Sequence, residues 1–271
     1  MQPYKQITIA CSDNEMQETV IALLADIEYD GFEQQSAAVV AYIPTELFNE
    51  QVLTDMLAPL QLPIAVADLE QKNWNEVWES NFQPITVGNF VAVRAHFHEA
   101  IPNVEHELVI TPKMSFGTGH HATTYLMMQQ MQNIDCKQKA VFDFGTGTGI
   151  LAILAEKLGA KSVLATDNED WTVENAQENA ANNHCQVITP QLLDVVPQQK
   201  FDIILANINR HVLLAFMPAL AAALNPGGTI LFSGILVEDE AIMRESITQQ
   251  PLQIQDIQSK NGWLCIQAAA I

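Results

Sequence analysis

The sequence predicts an α/β protein with a doubly wound, mainly parallel β-sheet, preceded by a smaller α+β unit. From Thr123 onward, short apolar stretches alternate with amphipathic helical stretches, which is typical of a parallel sheet with helices on both faces. Residues 145–149 have glycine at every second position, between an apolar stretch and a helical one. The alternation before residue 67 is shorter and follows a different order, so it indicates a separate unit.

The first unit, residues 1–66, predicts a ferredoxin-like arrangement in the order β-α-β-β-α-β. The predicted strands are Gln6–Ala10, Phe32–Gln35, Ala37–Ile43 and Leu62–Ala67, and the predicted helices are Asn14–Tyr29 and Pro44–Leu57. We see neither a Gly-rich loop nor clustered histidines, cysteines or carboxylates here. We therefore expect a domain that recognises a substrate rather than one that performs chemistry.

Residues 67–100 predict a linker with connecting strands. Asp68–Phe82 places Trp74 and Trp78 four residues apart on one helical face, which favours an apolar seam that docks this connector onto a domain. Pro84–Ala95 has the pattern of short strands that lead into the main domain.

Residues 101–271 predict the main α/β domain. Its predicted elements are Glu107–Thr111, Thr123–Met131, Ala140–Asp143, Ile150–Leu158, Ser162–Asp167, Trp171–Asn182, Phe201–Ala206, His211–Leu224, Thr229–Ser233, Glu238–Gln249, Leu252–Ser259 and Gly262–Ala269. The last two strands flank Asn261-Gly262, which is a strong hairpin signal. The parallel sheet is therefore expected to end in an antiparallel hairpin.

The composition excludes several classes of protein. No apolar run approaches the roughly 20 residues that span a bilayer, and the first ten residues lack the features of an export signal. The four cysteines are scattered, which suits a reducing compartment, so we expect a cytoplasmic protein without a membrane partner. Twelve basic against 32 acidic residues give a net charge of −20. This balance disfavours nucleic acid and favours a basic partner, although acidity also simply promotes solubility.

The Gly-rich loop is the sharpest motif. Asp143-Phe144-Gly145-Thr146-Gly147-Thr148-Gly149 follows a buried strand and precedes a helix, so glycines allow a tight turn and let a ligand approach the backbone. The loop does not match the dinucleotide-binding pattern G-x-G-x-x-G, because Ile150 stands where the third glycine is required. The loop instead fits a cofactor whose ammonium group pairs with Asp143. The alternative is a tight turn without a ligand.

Two polar residues end two of the predicted strands of the main domain. Asp167 lies 22 residues after Gly145, where a carboxylate accepts hydrogen bonds from both ribose hydroxyls. Asn207 directly follows the predicted strand Phe201–Ala206, and its amide can accept a hydrogen bond from an amine. The alternatives are a helix N-cap for Asp167 and a turn residue for Asn207.

A second loop, from Thr111 to Thr124, precedes the cofactor strand. It is rich in glycine and threonine and contains His120 and His121. Adjacent histidines point in different directions and no further ligands stand nearby, so we expect no metal site. A loop of this type can close over a bound cofactor, with Thr123 or Thr124 presenting a hydroxyl.

On these motifs, the chain resembles the methyltransferases of ribosomal protein L11 (the PrmA family). The resemblance rests on Phe116-Gly117-Thr118-Gly119, His121 and Thr123-Thr124, on the Gly-rich loop with Asp167, and on Ala206-Asn207-Ile208. It extends upstream through Trp74, Trp78 and Asn81-Phe82-Gln83-Pro84. The chain departs from the usual family pattern at Thr111, Lys113, Ser115, His120 and Ala122, positions that leave the cofactor contacts unchanged.

The resemblance implies a seven-stranded Rossmann-like methyltransferase domain and a cytoplasmic, monomeric enzyme. It implies that S-adenosylmethionine binds to Thr124, Gly145, Gly147, Asp167 and Asn207. It also implies methylation of lysine and N-terminal amines of a basic large-subunit ribosomal protein held by the first domain. Asn207 would be the catalytic residue, since its amide can orient the attacking amine. A methyltransferase of small molecules or RNA and a non-catalytic cofactor-binding module are the alternatives.

Overall fold

The computed structural model describes residues 4–25, 27–29, 31–68, 83–111 and 116–271. The chain divides into two compact units, Met1–Trp78 and Glu79–Ile271. The predicted helical seam with Trp74 and Trp78 and loop residues 112–115 lie outside the described residues. In the described ranges, no helix is long and apolar enough to cross a membrane.

The first unit is a four-stranded antiparallel sheet with two helices. Its elements are β1 (Tyr4–Ala10), α1 (Asn14–Ala25), β2 (Gly31–Gln35), β3 (Ala38–Pro44), α2 (Glu50–Leu57) and β4 (Ile64–Asp68). The strand order is β2-β3-β1-β4, which confirms the predicted ferredoxin-like order. Its core joins Ile7 and Ile9 of β1 to Leu24 of α1 and Leu53 of α2, all buried.

The predicted start of the second helix at Pro44 is wrong. Pro44 is the last residue of β3, and α2 begins six residues later at Glu50. The Asn49 side chain accepts hydrogen bonds from the backbone N–H groups of Gln51 and Val52, at 3.0 and 3.2 Å. Asn49 therefore caps the helix, because it satisfies two N–H groups that lack partners within the helix.

The second unit starts with a small sheet of β5 (Ile85–Val87), β6 (Val91–Arg94) and β7 (His106–Val109). β5 and β6 are antiparallel, whereas β6 and β7 are parallel. Val91, Val93 and Leu108 from these strands are buried in the same apolar cluster as residues of the main domain. The small sheet thus packs against two helices of the main domain, Ala122–Met131 and Ile150–Lys157.

The main sheet has seven strands in the order β10-β9-β8-β11-β12-β14-β13. Its elements are α3 (Ala122–Met131), β8 (Ala140–Phe144), α4 (Ile150–Lys157), β9 (Ser162–Asp167), α5 (Asp170–Asn182), β10 (Ile188–Leu192), β11 (Phe201–Asn207), α6 (Arg210–Ala223), β12 (Leu224–Leu236), α7 (Glu240–Thr248), β13 (Leu252–Lys260) and β14 (Trp263–Ala270). Five strands are parallel, and the C-terminal β13–β14 hairpin adds the antiparallel edge. The predicted fold class is confirmed.

The two faces of this sheet carry separate cores, as the alternation of side chains in a strand requires. In β11, Ile203 and Leu205 belong to the cluster that contains α3 and α4. Ile204 and Ala206 belong to the cluster that contains α6 and α7. Helices therefore cover both faces, and the carboxyl ends of β8, β9, β11 and β12 remain at a common edge.

The strand β10 is absent from the sequence-based assignment. Its five residues, Ile188–Leu192, include Pro190, and none of them is fully buried. β10 pairs only with β9, at the edge of the sheet. An edge strand with this exposure lacks the apolar run that indicates a buried strand, and proline is tolerated there because one side needs no N–H donor.

Candidate active site

A cavity of about 460 Å³ opens at the carboxyl edge of the parallel strands. Its lining comes from the loop before α3, the Gly-rich loop, the ends of β9, β11 and β12, the start of α5 and the start of β14. The lining residues are Phe116, His121, Thr123, Gly145, Gly147, Asp167, Trp171, Thr172, Asn207, Ile208, Asn209, Gly234 and Trp263. Four of the five predicted cofactor residues therefore meet in one place.

The Gly-rich loop is built so that only glycine fits at position 147. Its backbone has a φ of +56°, and a Cβ atom there would lie 2.2 Å from the carbonyl oxygen of Phe116. The N–H groups of Gly145 and Thr146 both donate to the Thr166 carbonyl, at 2.9 and 2.8 Å, which anchors the loop to β9. The absence of a side chain at Gly147 thus makes space for the Phe116 carbonyl, and Gly145 and Gly147 both line the cavity.

The carboxylate of Asp167 is held by backbone N–H groups. Its Oδ2 accepts a hydrogen bond from Gly147 at 3.0 Å, and its Oδ1 accepts one from Asn168 at 3.0 Å. Asp167 lines the cavity and ends β9, as predicted from the sequence. Each carboxylate oxygen has a further lone pair, so Asp167 can also accept hydrogen bonds from a bound molecule.

Asp143 is buried next to the Gly-rich loop. Its Oδ2 accepts a hydrogen bond from the Thr146 hydroxyl at 2.6 Å, and its Oδ1 has no partner among the described residues. Burial raises the pKa of this carboxyl group to about 7, although the Thr146 hydrogen bond opposes the shift. The side chain does not belong to the cavity lining described above. A direct contact between Asp143 and a cofactor ammonium group stays a prediction.

Asn207, the last residue of β11, also lines the cavity and carries a side-chain amide. Its Nδ2 donates to the hydroxyl of Thr124 at 3.4 Å, while its buried Oδ1 has no partner among the described residues. Thr124 itself is fully buried behind Asn207, and its neighbour Thr123 lines the cavity. Thr124 therefore supports Asn207, and its predicted contact with a cofactor stays a prediction.

Aromatic residues form much of the remaining wall. The ring of His121 lies between Phe116 and Trp263, with centroid distances of 5.2 and 4.7 Å and edge-to-face geometry. The Nδ1 atom of His121 also lies 2.8 Å from the Thr123 hydroxyl. Sequence reasoning missed Trp263 as well as Trp171, Thr172 and Gly234. No local motif marks these positions, although a tryptophan directly after Asn261-Gly262 places an aromatic residue at a hairpin end.

The residues present fit S-adenosylmethionine. Gly145 and Gly147 line the cavity, and Asp167 offers carboxylate lone pairs to ribose hydroxyls. The wall is largely apolar and aromatic, which suits an adenine ring and a methylsulfonium group.

The sheet order, its antiparallel terminal hairpin and this site define a Rossmann-like methyltransferase that uses S-adenosylmethionine. The family described as "Ribosomal protein L11 methyltransferase (PrmA)" matches residues 3–270, so the chain belongs to this family. The resemblance predicted from the sequence is confirmed.

Two relatives align with nearly the whole chain. A protein of Phocaeicola vulgatus named ribosomal protein L11 methyltransferase is 38% identical over 275 residues, covering 97% of this chain and 98% of its own. A protein of the same name from Porphyromonas gingivalis is 41% identical over 254 residues, covering 90% of this chain and 88% of its own. The crystal structure of the ribosomal protein L11 methylase from Lactobacillus delbrueckii subsp. bulgaricus matches 70% of this chain and 99% of its own, at 33% identity and a TM-score of 0.65.

Proposed function

We propose that this enzyme transfers methyl groups from S-adenosylmethionine to lysine side-chain and N-terminal amines of ribosomal protein L11. Relatives that match more than nine-tenths of the chain carry the name of that activity. The observation that carries the choice of an amine is Asn207, which lines the cavity and whose buried Oδ1 has no partner among the described residues. Such an oxygen can accept an N–H bond from an amine. The net charge of −20 favours a basic substrate protein.

The binding contacts of the cofactor follow from the site. Gly145 and Gly147 would face its charged amino-acid part, and Asp167 would bind its ribose. Asn207, supported by Thr124, would lie beside the reacting centre. When bound, S-adenosylmethionine supplies an electrophilic methyl group on a sulfonium whose departure leaves a neutral thioether.

The chemical task of the protein is to align an uncharged amine. Lysine has a reference pKa of about 10.4, so little free amine exists at pH 7. The apolar walls, including Phe116 and Trp263, disfavour the ammonium form by desolvation and thus lower that pKa. With one N–H donated to Asn207 Oδ1, the nitrogen lone pair can be directed at the methyl carbon. Bound S-adenosylmethionine would supply the methyl group, and the proton that the methylated nitrogen then sheds would leave to solvent.

Alignment of this kind contributes through proximity, which can be worth several kcal/mol or more. Asn207 therefore contacts the substrate amine and orients it. In this scheme no side chain has to give a proton to the amine or take one from it. We further propose that domain 1–66 binds the substrate protein, that residues 67–100 connect it to catalytic domain 101–271, and that the enzyme works as a cytoplasmic monomer.

The test is transfer of labelled methyl groups by the purified chain into ribosomal proteins and ribosomal RNA from cells that lack this gene. We expect label in L11, at amines identified by mass spectrometry. Asn207→Ala should bind the cofactor and lose most of its turnover, whereas exposed Asn133→Ala should behave as wild type. Label in RNA alone, or full activity of Asn207→Ala, would contradict the proposal.

A further inference from the structure

The fully buried amide of Asn179, on α5, joins two segments that are far apart in the sequence. Its Nδ2 donates to the carbonyl oxygen of Thr148 in the Gly-rich loop, at 2.9 Å. Its Oδ1 accepts from the backbone N–H of Thr111, at 2.8 Å. The bond to Thr148 is buried, and the bond to Thr111 is partly buried. A buried amide that uses its donor and its acceptor in this way fixes the separation of the two segments.

Thr148 continues this connection toward the cavity. Its N–H donates to the Phe116 carbonyl at 2.9 Å, and its hydroxyl donates to the Gly117 carbonyl at 2.6 Å. Thr148 is also fully buried. Since Phe116 and Gly147 both line the cavity, Thr148 holds the aromatic wall against the Gly-rich loop.

Asn183, one helical turn later, makes a matching set of bonds without reaching the Gly-rich loop. Its Oδ1 accepts from the Val109 N–H at 2.9 Å, and its Nδ2 donates to the Val109 carbonyl at 2.7 Å. A third bond runs from its Nδ2 to the Asn179 carbonyl, at 2.8 Å. Asn183 is 7% exposed, so its burial is close to that of Asn179. Asn183 therefore makes three side-chain hydrogen bonds, none of them to Thr148, whereas one of the two made by Asn179 goes to Thr148.

We propose that Asn179 is a positioning residue for the cofactor cavity and acts through Thr148. By holding the Thr148 carbonyl, it keeps the Gly-rich loop in register with Phe116, so the two walls of the cavity stay at a fixed spacing. The inference rests on the methyltransferase site described above and does not depend on which protein is methylated. A misplacement of about 1 Å in an active site can cost on the order of 100-fold in rate.

The experiment compares Asn179→Leu with Asn183→Leu, two substitutions of similar volume that each remove buried hydrogen bonds. Both should lower the melting temperature by similar amounts. Only Asn179→Leu should raise the dissociation constant of S-adenosylhomocysteine, measured by calorimetry, by about tenfold. The same variant should raise the KM for S-adenosylmethionine more than it lowers kcat. Equal dissociation constants in the two variants would overturn the proposal.

A second pair of variants covers the case in which Asn179→Leu does not fold. Thr148→Val removes the hydroxyl bond to Gly117 with little change of shape, and Thr148→Ser restores a hydroxyl. We expect weaker S-adenosylhomocysteine binding in Thr148→Val and recovery in Thr148→Ser. Wild-type affinity in Thr148→Val would contradict the role assigned to this connection. Because binding is measured without L11, failure here is distinguishable from failure of the proposed substrate.

Discussion

The amide of Asn207 donates to the hydroxyl of Thr124 at 3.4 Å, so a residue of α3 fixes the orientation of a residue at the end of β11. Asn207 Oδ1, the atom that we assign to the amine, is buried and has no partner among the described residues. Thr124→Val should lower kcat roughly tenfold, because the amide can rotate once its partner is lost. Binding of S-adenosylhomocysteine should change less than twofold.

The control for this prediction is Thr124→Ser, which retains a hydroxyl and should recover most of the turnover. Steady-state kinetics with saturating cofactor measure both variants. An unchanged kcat in Thr124→Val would show that the Thr124 hydroxyl has no part in orienting Asn207.

Gly147→Ala should abolish cofactor binding. The added Cβ would meet the Phe116 carbonyl oxygen at 2.2 Å, and the backbone already has a φ of +56°. Gly227 provides a matched control, because its φ is +72° but nothing lies within 4 Å of an added Cβ. Gly227→Ala should therefore show only the backbone strain, about 1–2 kcal/mol. Thermal melts and calorimetry with S-adenosylhomocysteine compare the two, and equal losses would contradict a steric role for Gly147.

The parts of the site that the sequence predicts are those with local signals. Gly145 and Gly147 lie between a strand and a helix, and Asp167 and Asn207 end strands, so their placement at one sheet edge follows from parallel topology. Trp171 and Trp263 differ, because their positions depend on how α5 and the β14 hairpin pack onto the edge. The placement of Thr124 behind Asn207 likewise depends on the register of α3 against β11, which no local pattern encodes.

The elements of the fold, like the residues of the site, are predictable where the sequence carries a local signal. The buried strands β8 and β11 contain short apolar runs, Ala140–Phe142 and Ile203–Ala206, and are predictable. The edge strand β10 is not, since Pro190 and its exposed neighbours have the pattern of a loop. The sequence places the start of α2 too early, at Pro44, because proline is common in the first turn of a helix as well as at the edge of a sheet. Asparagine is also common in loops, so Asn49 alone does not indicate where the helix starts.

Trp171→Ala should weaken cofactor binding while leaving the fold intact. The side chain is 45% exposed, lines the cavity and starts α5 close to Asp167. Loss of an aromatic surface that stacks on a base costs about 1–3 kcal/mol, so we expect the dissociation constant of S-adenosylhomocysteine to rise about tenfold. Leu192→Ala is a control, because Leu192 is 50% exposed and lies outside the cavity lining. Equal affinities in the two variants would exclude a binding role for Trp171.

The buried carboxyl group of Asp143 makes stability depend on pH. Burial raises its folded-state pKa to about 7, from an ordinary value of 3.8. Between these two values the folded chain binds more protons at this group than the unfolded chain does. The stabilisation due to the protonated form is therefore complete below about pH 3.8 and is lost as the pH rises through about 7. The loss amounts to a few kcal/mol, at about 1.4 kcal/mol for each unit of pKa.

Asp143→Asn isolates this effect, because its amide oxygen can still accept the Thr146 hydroxyl but cannot ionise. Melting temperatures of both proteins between pH 4 and 8, without cofactor, give the difference due to this one group, since other titrating groups cancel. We expect the melting temperature of the variant to increase relative to that of the wild type as the pH rises from about 4 to about 7. Above that range the difference between the two melting temperatures should stay constant. A difference that stays constant from pH 4 to 8 would show that the native Asp143 carboxyl does not take up a proton in this range.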